Sequence, residues 1–256
     1  MPLFNNEIGN LGHLGNQMFQ YASLQGIAVN RGFGWKIPPK DNFGRAYPSL
    51  RSNIYDCFYL AGIEDHIGLG GSDDWIEKRH GFDSDTFDAI PDDRNLSGYY
   101  QSYKYFDHIK KKIKRDFTFR PTSIPPVKKE NTLAIHVRRT DYLGLSSYHP
   151  NLADAYYLDA LEISYGFTDA IVFSDDIEWC KGIDIFKDFE FSNRGPYEDM
   201  QLMSLCGRHI IANSSFSWWG AYLSESNRVV APRNWFGPAL PEHDPSGYYL
   251  PEWTIV

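Results

Sequence analysis

The chain has 256 residues, 42% of them apolar and 23% charged, with a net charge of −8. That balance suits a globular protein with a real core, excludes a disordered or fibrous chain, and disfavours nonspecific nucleic-acid binding while leaving room for a local basic pocket. No run approaches the roughly 20 apolar residues of a membrane helix, the opening MPLFNNEIGN has no signal-peptide character, and the odd, scattered Cys57, Cys180 and Cys206 lack metal-ligand spacing, so a cytoplasmic protein in a reducing setting is expected.

In chain order, Gly12 to Gln17 form a glycine-bearing turn before an amphipathic helix over 16–29, where Met18, Tyr21, Ala22, Ala28 and Val29 recur at helical spacing. Residues 35–100, rich in Gly, Asp and aromatics, read as short strands and loops, a place where an acceptor site could be built. Within them Asp83-Ser84-Asp85 has the form of a metal clasp but no strand before it, and reads as solvated acid. A helix is expected over 103–117, with Phe106, Ile109, Ile113 and Phe117 on one face and Lys110, Lys111, Lys112 and Lys114 on the other. The stretch 119–131 carries Pro121, Pro125 and Pro126, which cannot continue a helix or join a central strand. It is the expected linker, dividing the chain into domains 1–122 and 123–256.

Beyond the linker, strand and helix alternate. Strand 133–137 (LAIHV) is followed by helix 153–165. Strand 170–174 (AIVFS) is followed by Asp175 and Asp176, placed to cap a short helix holding Trp179 and Cys180. Helix 196–206 opens on Pro196 with Glu198 and Asp199 in its first turn and stops at Gly207. Strand 209–213, helix 217–224 and strand 228–231 complete the pattern. Such alternation predicts a parallel sheet whose ligands gather at the carboxyl ends of its strands.

Three segments could carry chemistry. In the turn 12–17, glycines allow close backbone approach and helix-start amides attract anionic oxygens; a tight turn with Asn16 as N-cap is the plain alternative. At the end of strand 133–137, Arg138 and Arg139 are costly to desolvate unless an anion meets them, and guanidinium forks match phosphate oxygens; a solvated surface pair is the alternative. After strand 209–213, the hydroxyls and helix-start amides around Ser214, Ser215, Phe216 and Ser217 offer a second phosphate cradle, or simply cap the helix, with Trp218 and Trp219 as core. The chain has no G-x-S-x-G elbow, no phosphate-binding G-x-x-x-x-G-K-[ST] loop, no G-x-G-x-x-G after a strand and no histidine pair at metal-ligand spacing, which weakens hydrolase, nucleoside-triphosphatase and NAD-enzyme readings.

Together these segments resemble the alpha-1,2-fucosyltransferase family, glycosyltransferase family 11. GHLGNQMFQYA resembles that family's signature GGLGNQMFQYA, with His13 in place of a glycine; HVRRTDY and NSSFSWWGAYL resemble its nucleotide-sugar motif and third block; GYYQSYKYF and IVFSDD are similar to lesser motifs. The resemblance implies an α/β, GT-B-like fold of two facing domains, with an acceptor-side N-terminal domain and a Rossmann-like C-terminal domain holding GDP-fucose. It also implies no cofactor, no catalytic metal, a galactose-terminated oligosaccharide or glycan as acceptor, and membrane association at most peripheral. By the same resemblance Arg138 and Arg139 would neutralise the pyrophosphate, with His136 and Asp141 in the same motif. Asp199 would read the guanine edge, Ser214, Ser215, Phe216 and Ser217 would meet the phosphates or base, and Asn16 with Gly15 would reach the phosphate end from the N-terminal domain. GDP-fucose is beta-linked and the product alpha-linked, so a single inverting displacement is expected. Fixed guanidinium donors would stabilise the departing GDP as a metal does elsewhere, and Asp141, with His149 behind it, would serve as general base. A non-catalytic sugar- or nucleotide-binding protein on the same fold is the competing reading.

Overall fold

Short apolar strands alternating with helices on each side of the proline-rich stretch build two separate parallel sheets. A computed structural model describes residues 1–9, 11–40, 53–63, 71–125 and 128–256. Asn10, residues 41–52 and 64–70 of the strand-and-loop stretch, and Pro126 and Val127 of the linker lie outside the described residues. The chain forms two compact units, Met1–Pro121 with Asp244–Tyr248, and Thr122–His243 with Tyr249–Val256. A single boundary at 122 does not foresee that residues 244–248 return to the first unit. No helix among the described residues is long and apolar enough to cross a membrane.

The first unit contains β1 (Leu3–Phe4), α1 (Leu14–Arg31), β2 (Trp35–Lys36), α2 (Ile54–Cys57), β3 (Asp73–Ile76), α3 (Ser84–Ala89), β4 (Arg94–Ser97) and α4 (Lys110–Asp116). Its sheet runs in the order β2-β1-β4-β3 with parallel neighbours, so the short β1 lies in the sheet's interior. Helix α1 starts two residues before the expected 16 and ends two after 29. His13 precedes it in extended backbone (φ −80°), a conformation any residue adopts, so histidine in place of glycine costs nothing there. At its other end Gly32 is left-handed (φ 70°) and its N–H reaches the Ala28 and Val29 carbonyls, the usual glycine stop.

Two expectations change in this unit. The helix over 103–117 breaks into single 3₁₀ turns at Tyr103–Tyr105 and Asp107–Ile109 before α4. The chain presses onto α1 at Gly26, where a Cβ would lie 2.0 Å from the Tyr105 carbonyl oxygen, and this packing outweighs the helical periodicity, which still buries Phe106, Ile113 and Phe117. Asp83 is not loop acid either: it caps α3, accepting from the Asp85 N–H at 3.0 Å and from the Thr86 hydroxyl at 2.8 Å.

The second unit contains β5 (Lys129–Val137), α5 (Asp154–Ile163), β6 (Asp169–Ser174), α6 (Ile177–Lys181), β7 (Glu190–Phe191), α7 (Pro196–Leu205), β8 (Cys206–Ile210), α8 (Ser215–Ser224), β9 (Val229–Ala231) and β10 (Thr254–Ile255). Its parallel sheet has the order β10-β9-β8-β5-β6-β7. Period-two alternation along β5 feeds two cores. Leu133, Ile135 and Val137 pack with Tyr157, Val172 and Ile210, while Ala134 packs with Ile171, Phe173, Leu202 and Met203 on the other face. Each large side chain so buried stabilises the fold by about 1.5–3 kcal/mol. Strand order runs outward from β5 through β6 to β7, then restarts on the opposite side of β5 with β8. The carboxyl ends of β5 and β8 therefore flank the switch point, where open α/β sheets bind ligands.

Gly207 does not stop α7, which ends at Leu205; it lies inside β8, so that strand begins three residues before the expected 209. Its lack of a side chain lets β8 approach β5, since a Cβ there would lie 2.0 Å from the Glu130 carbonyl oxygen. Helix α8 likewise starts at Ser215 rather than Ser217, because the Ser214 side chain caps it. Gly207→Ala should force the two strands apart at a cost of about 1–3 kcal/mol, lowering the melting temperature by several degrees in a thermal unfolding scan.

Candidate active site

The register between β5 and β6 pairs Val137 with Ser174, so the next residues along each strand, Arg138 and Asp175, emerge side by side. Arg138 Nη1 lies 3.1 Å from Asp175 Oδ2, and its Nη2 donates to Asp141 Oδ2 at 2.8 Å. Arg139 turns to a different partner: its Nε donates to Asp176 Oδ2 at 3.1 Å, and its guanidinium carbon sits 3.9 Å over the Trp179 ring. Both side chains keep only about a fifth of their surface exposed, 21% and 22%, so the alternative of a solvated pair does not describe them.

Asp175 organises the turn. Besides Arg138 it accepts from the Arg139 N–H at 2.9 Å, the Thr140 N–H at 3.1 Å and the Thr140 hydroxyl. Burial by itself would raise its pKa, yet Arg138 and these donors together hold it below the usual carboxylate value. Thus the two cations are already compensated by Asp141, Asp175 and Asp176. Of the three, Asp141 is the most exposed, at 46%. The sequence places Asp175 and Asp176 as helix caps. Asp176 does cap α6, through the Trp179 N–H, whereas Asp175 is the counter-ion and amide acceptor.

His136 faces the Phe216 ring at 5.6 Å. Burial pushes its pKa down to about 3, with Arg138 adding to the effect and Asp175 opposing it, so the imidazole is neutral and contributes no positive charge to an anion site. Ser214 uses its hydroxyl to accept from the Phe216 N–H at 3.3 Å. Ser217 is fully buried and donates to the Ala212 and Ser214 carbonyls; its hydroxyl serves the chain, which leaves Ser215 and Phe216, partly exposed at the start of α8, as the outward members of that segment. Trp218 and Trp219 are core.

Tyr142, absent from the candidates read from sequence, connects the two strand ends. Its hydroxyl donates to the Asn213 carbonyl at 3.0 Å, its ring lies 5.4 Å from the Arg138 guanidinium carbon, and His149 stacks on it at 4.7 Å. Arg138, Asp141, His149 and the start of α8 are thereby brought together. The signal was present in HVRRTDY, although spacing does not reveal which way its last residue turns. Burial lowers the pKa of His149, leaving it a neutral base. Asp199 lies in the first turn of α7, where it accepts from the Ser192 hydroxyl. Burial raises its pKa to about 6 against the lowering effect of Ser192 and Arg194. Among the described residues no group of three or more His, Cys, Asp or Glu is arranged to hold a metal ion.

Gly15 and Asn16 belong to the first unit. Because α1 opens at Leu14 after His13, Asn16 is inside the first turn and not its N-cap. Its Oδ1 accepts from Gln101 Nε2 at 3.0 Å.

Glycosyl transferase family 11 matches residues 80–256, a span that holds all the second-unit segments above. The chain belongs to this family. It is 31% identical to the Alpha-1,2-colitosyltransferase of Escherichia coli over 88% of this chain and 90% of that one. It is 28% identical to Galactoside alpha-(1,2)-fucosyltransferase 2 of Oryctolagus cuniculus over 97% of this chain and 76% of that one. Among solved structures, fucosyltransferase NodZ from Bradyrhizobium matches with a TM-score of 0.53 at 14% identity, covering 89% of this chain and 94% of that one. The fold of this family 11 chain is accordingly of the GT-B type, an α/β architecture.

Removing Asp175 should free Arg138 from its deeper partner and leave two backbone amides without their acceptor, at a cost of about 1–3 kcal/mol. The folded-state pKa of Asp175 is depressed, so its contribution is complete above the unfolded value of 3.8 and fades as pH falls below it. In thermal unfolding, Asp175→Ala should be several degrees less stable than wild type at pH 7, with the gap closing in acid below about pH 4.

Proposed function

We propose that this chain is an inverting glycosyltransferase that moves L-fucose from GDP-fucose to the 2-hydroxyl of a galactose-type acceptor. The observation that carries the reading is the pair of half-buried guanidinium groups leaving the central strand at the switch point of the second sheet, in a chain of glycosyl transferase family 11.

In this reading Arg138 and Arg139 bind the diphosphate, and their fixed donors favour the transition state because negative charge grows on GDP as the sugar departs. The two guanidinium groups stand where a metal would act in other transferases. Ser215 and Phe216 present the start of α8 to the nucleotide, and Asp199 accepts from the N–H groups of the guanine edge. Gly15 and Asn16 meet the phosphate end of the donor. Asp141 takes the acceptor proton once the diphosphate has displaced it from Arg138, and neutral His149, stacked on Tyr142, is the second choice for that role. Cys57, Cys180 and Cys206 are buried thiols outside any disulfide, in keeping with a reducing, cytoplasmic setting in which any membrane contact is peripheral.

Incubation with GDP-fucose and lactose, followed by linkage analysis, tests the reading: GDP release coupled to an alpha-1,2-fucosylated product is expected. Binding without turnover would instead indicate a non-catalytic module. A donor carrying colitose, the 3-deoxy counterpart of fucose, belongs in the same assay, given the colitosyltransferase relative. Arg138→Ala should lose transfer by at least about 100-fold and lose GDP binding by calorimetry, while its melting temperature stays within a few degrees of wild type; near-normal turnover would remove the mechanism. The Asp199 assignment has its own signature. Its pKa is raised to about 6, and only the ionised form can accept from both N–H groups of the guanine edge with its two oxygens. GDP affinity should therefore weaken as pH drops through about 6, by up to about tenfold per unit, and Asp199→Asn should lose both the affinity and that pH dependence.

A further inference from the structure

A hydrogen-bonded relay in the first unit aims the Asn16 carboxamide. The Tyr248 hydroxyl donates to Gln101 Oε1 at 2.6 Å, and Gln101 Nε2 donates to Asn16 Oδ1 at 3.0 Å. A side-chain amide has one accepting and one donating end, so occupying one end decides which faces elsewhere. Tyr248 engages the accepting end of Gln101, and Gln101 in turn engages the accepting end of Asn16. The Asn16 Nδ2 end is thereby turned to the glycine turn, where a Cβ on Gly12 would lie 2.4 Å from it.

The relay is built on rigid supports. Gln101 and Tyr248 are buried. The two residues before Gln101 are pinned by the Glu77 carboxylate, which accepts from the Tyr99 N–H at 2.7 Å and the Tyr100 N–H at 3.0 Å. Tyr100 itself holds a left-handed backbone (φ 49°), which a bulky residue adopts only when its surroundings enforce it. On the other side Ser102 is fully buried against Gly247, where a Cβ would meet the Ser102 hydroxyl oxygen at 2.4 Å. The Lys104 ammonium donates to the Ser246 hydroxyl at 2.9 Å, fastening residues 244–248 to the same turn. The Tyr248 ring packs edge-on against Phe19, one helical turn along α1 from Asn16.

We propose that Gln101 and Tyr248 are positioning residues for the transfer: they hold the Asn16 amide with its N–H end toward the donor phosphate, so that it attracts an anionic oxygen where the reversed amide would repel it. This rests on the reading above that Asn16 meets the donor. Gln101→Glu keeps the shape of the side chain but cannot donate to Asn16 Oδ1, and its carboxylate would draw the Asn16 N–H groups toward itself, reversing the amide. Tyr248→Phe removes the hydroxyl and keeps the ring.

The test is a double-mutant cycle on kcat/KM for GDP-fucose, with melting temperatures measured alongside. Asn16→Ala should lose on the order of 100-fold and Gln101→Glu about 10- to 100-fold, with Tyr248→Phe losing less in the same parameter. Placed on the Asn16→Ala background, neither Gln101→Glu nor Tyr248→Phe should cost anything further, because they act only through Asn16. A structural role would instead add its full penalty on that background, and this result, or wild-type kinetics in both relay variants, overturns the proposal. Wild-type kinetics in Asn16→Ala overturns the earlier assignment of Asn16 to the donor, and the relay's purpose with it. If Gln101→Glu fails to fold, Tyr248→Phe carries the cycle alone.

Discussion

The ion pair between Arg138 and Asp175 is the interaction on which the second unit's chemistry depends. A guanidinium at the end of a strand whose last six residues are buried is costly unless its charge is met, and the parallel register of β5 with β6 delivers a carboxylate to the adjacent strand end without any loop having to find it. Because Asp175 also accepts from the Arg139 and Thr140 amides, the same carboxylate that neutralises the first arginine shapes the turn presenting the second. The result is two guanidinium groups held in fixed positions, the preorganisation that the proposed electrostatic stabilisation would require.

That arrangement is also self-compensating. Three carboxylates surround two guanidinium groups, so the site is not a naked basic pocket in an acidic protein, and under the proposed reading a diphosphate would bind by exchange of partners more than by net charge. The most exposed carboxylate, Asp141, is bound to Arg138. One displacement would open a donor and free a base, which ties the proposed binding step to the proposed proton transfer. Tyr142 makes this local cluster part of a larger one by bonding to the Asn213 carbonyl just before α8.

The first unit uses buried amides and hydroxyls where the second uses ion pairs. Gln17 donates to the Gly12 carbonyl and accepts from the Ile54 N–H, Gln20 donates to the Gly98 carbonyl, and the Ser23 hydroxyl donates to the Tyr100 carbonyl. A helix that is buried nearly all round thus satisfies its polar side chains by gripping the loops beside it, and so joins the glycine turn to the GYYQ segment in one framework.

From sequence alone, the alternation of apolar strands and helices after the linker was legible because a buried parallel strand must be a short apolar run and its crossover must be amphipathic. The arginine pair and the serine-rich segment were legible for the same reason: charged or capping residues directly after such a run fall at the ligand edge of the sheet. Residue type and spacing could not show the partners, which come from elsewhere in the chain. Asp175 reads as a helix cap until β6 is set in register beside β5; Gly207 reads as a helix stop until β8 is seen against Glu130; 103–117 reads as one helix until the chain is laid over Gly26; and Ser217 reads as a ligand hydroxyl until its side chain is found bonded to Ala212. The sequence by itself determined which segments end at the carboxyl edge of the second sheet, through local periodicity and the cost of burying charge. Only the tertiary structure decided which groups meet there, because contacts between distant residues depend on strand order, register and close backbone approach, none of which local pattern encodes.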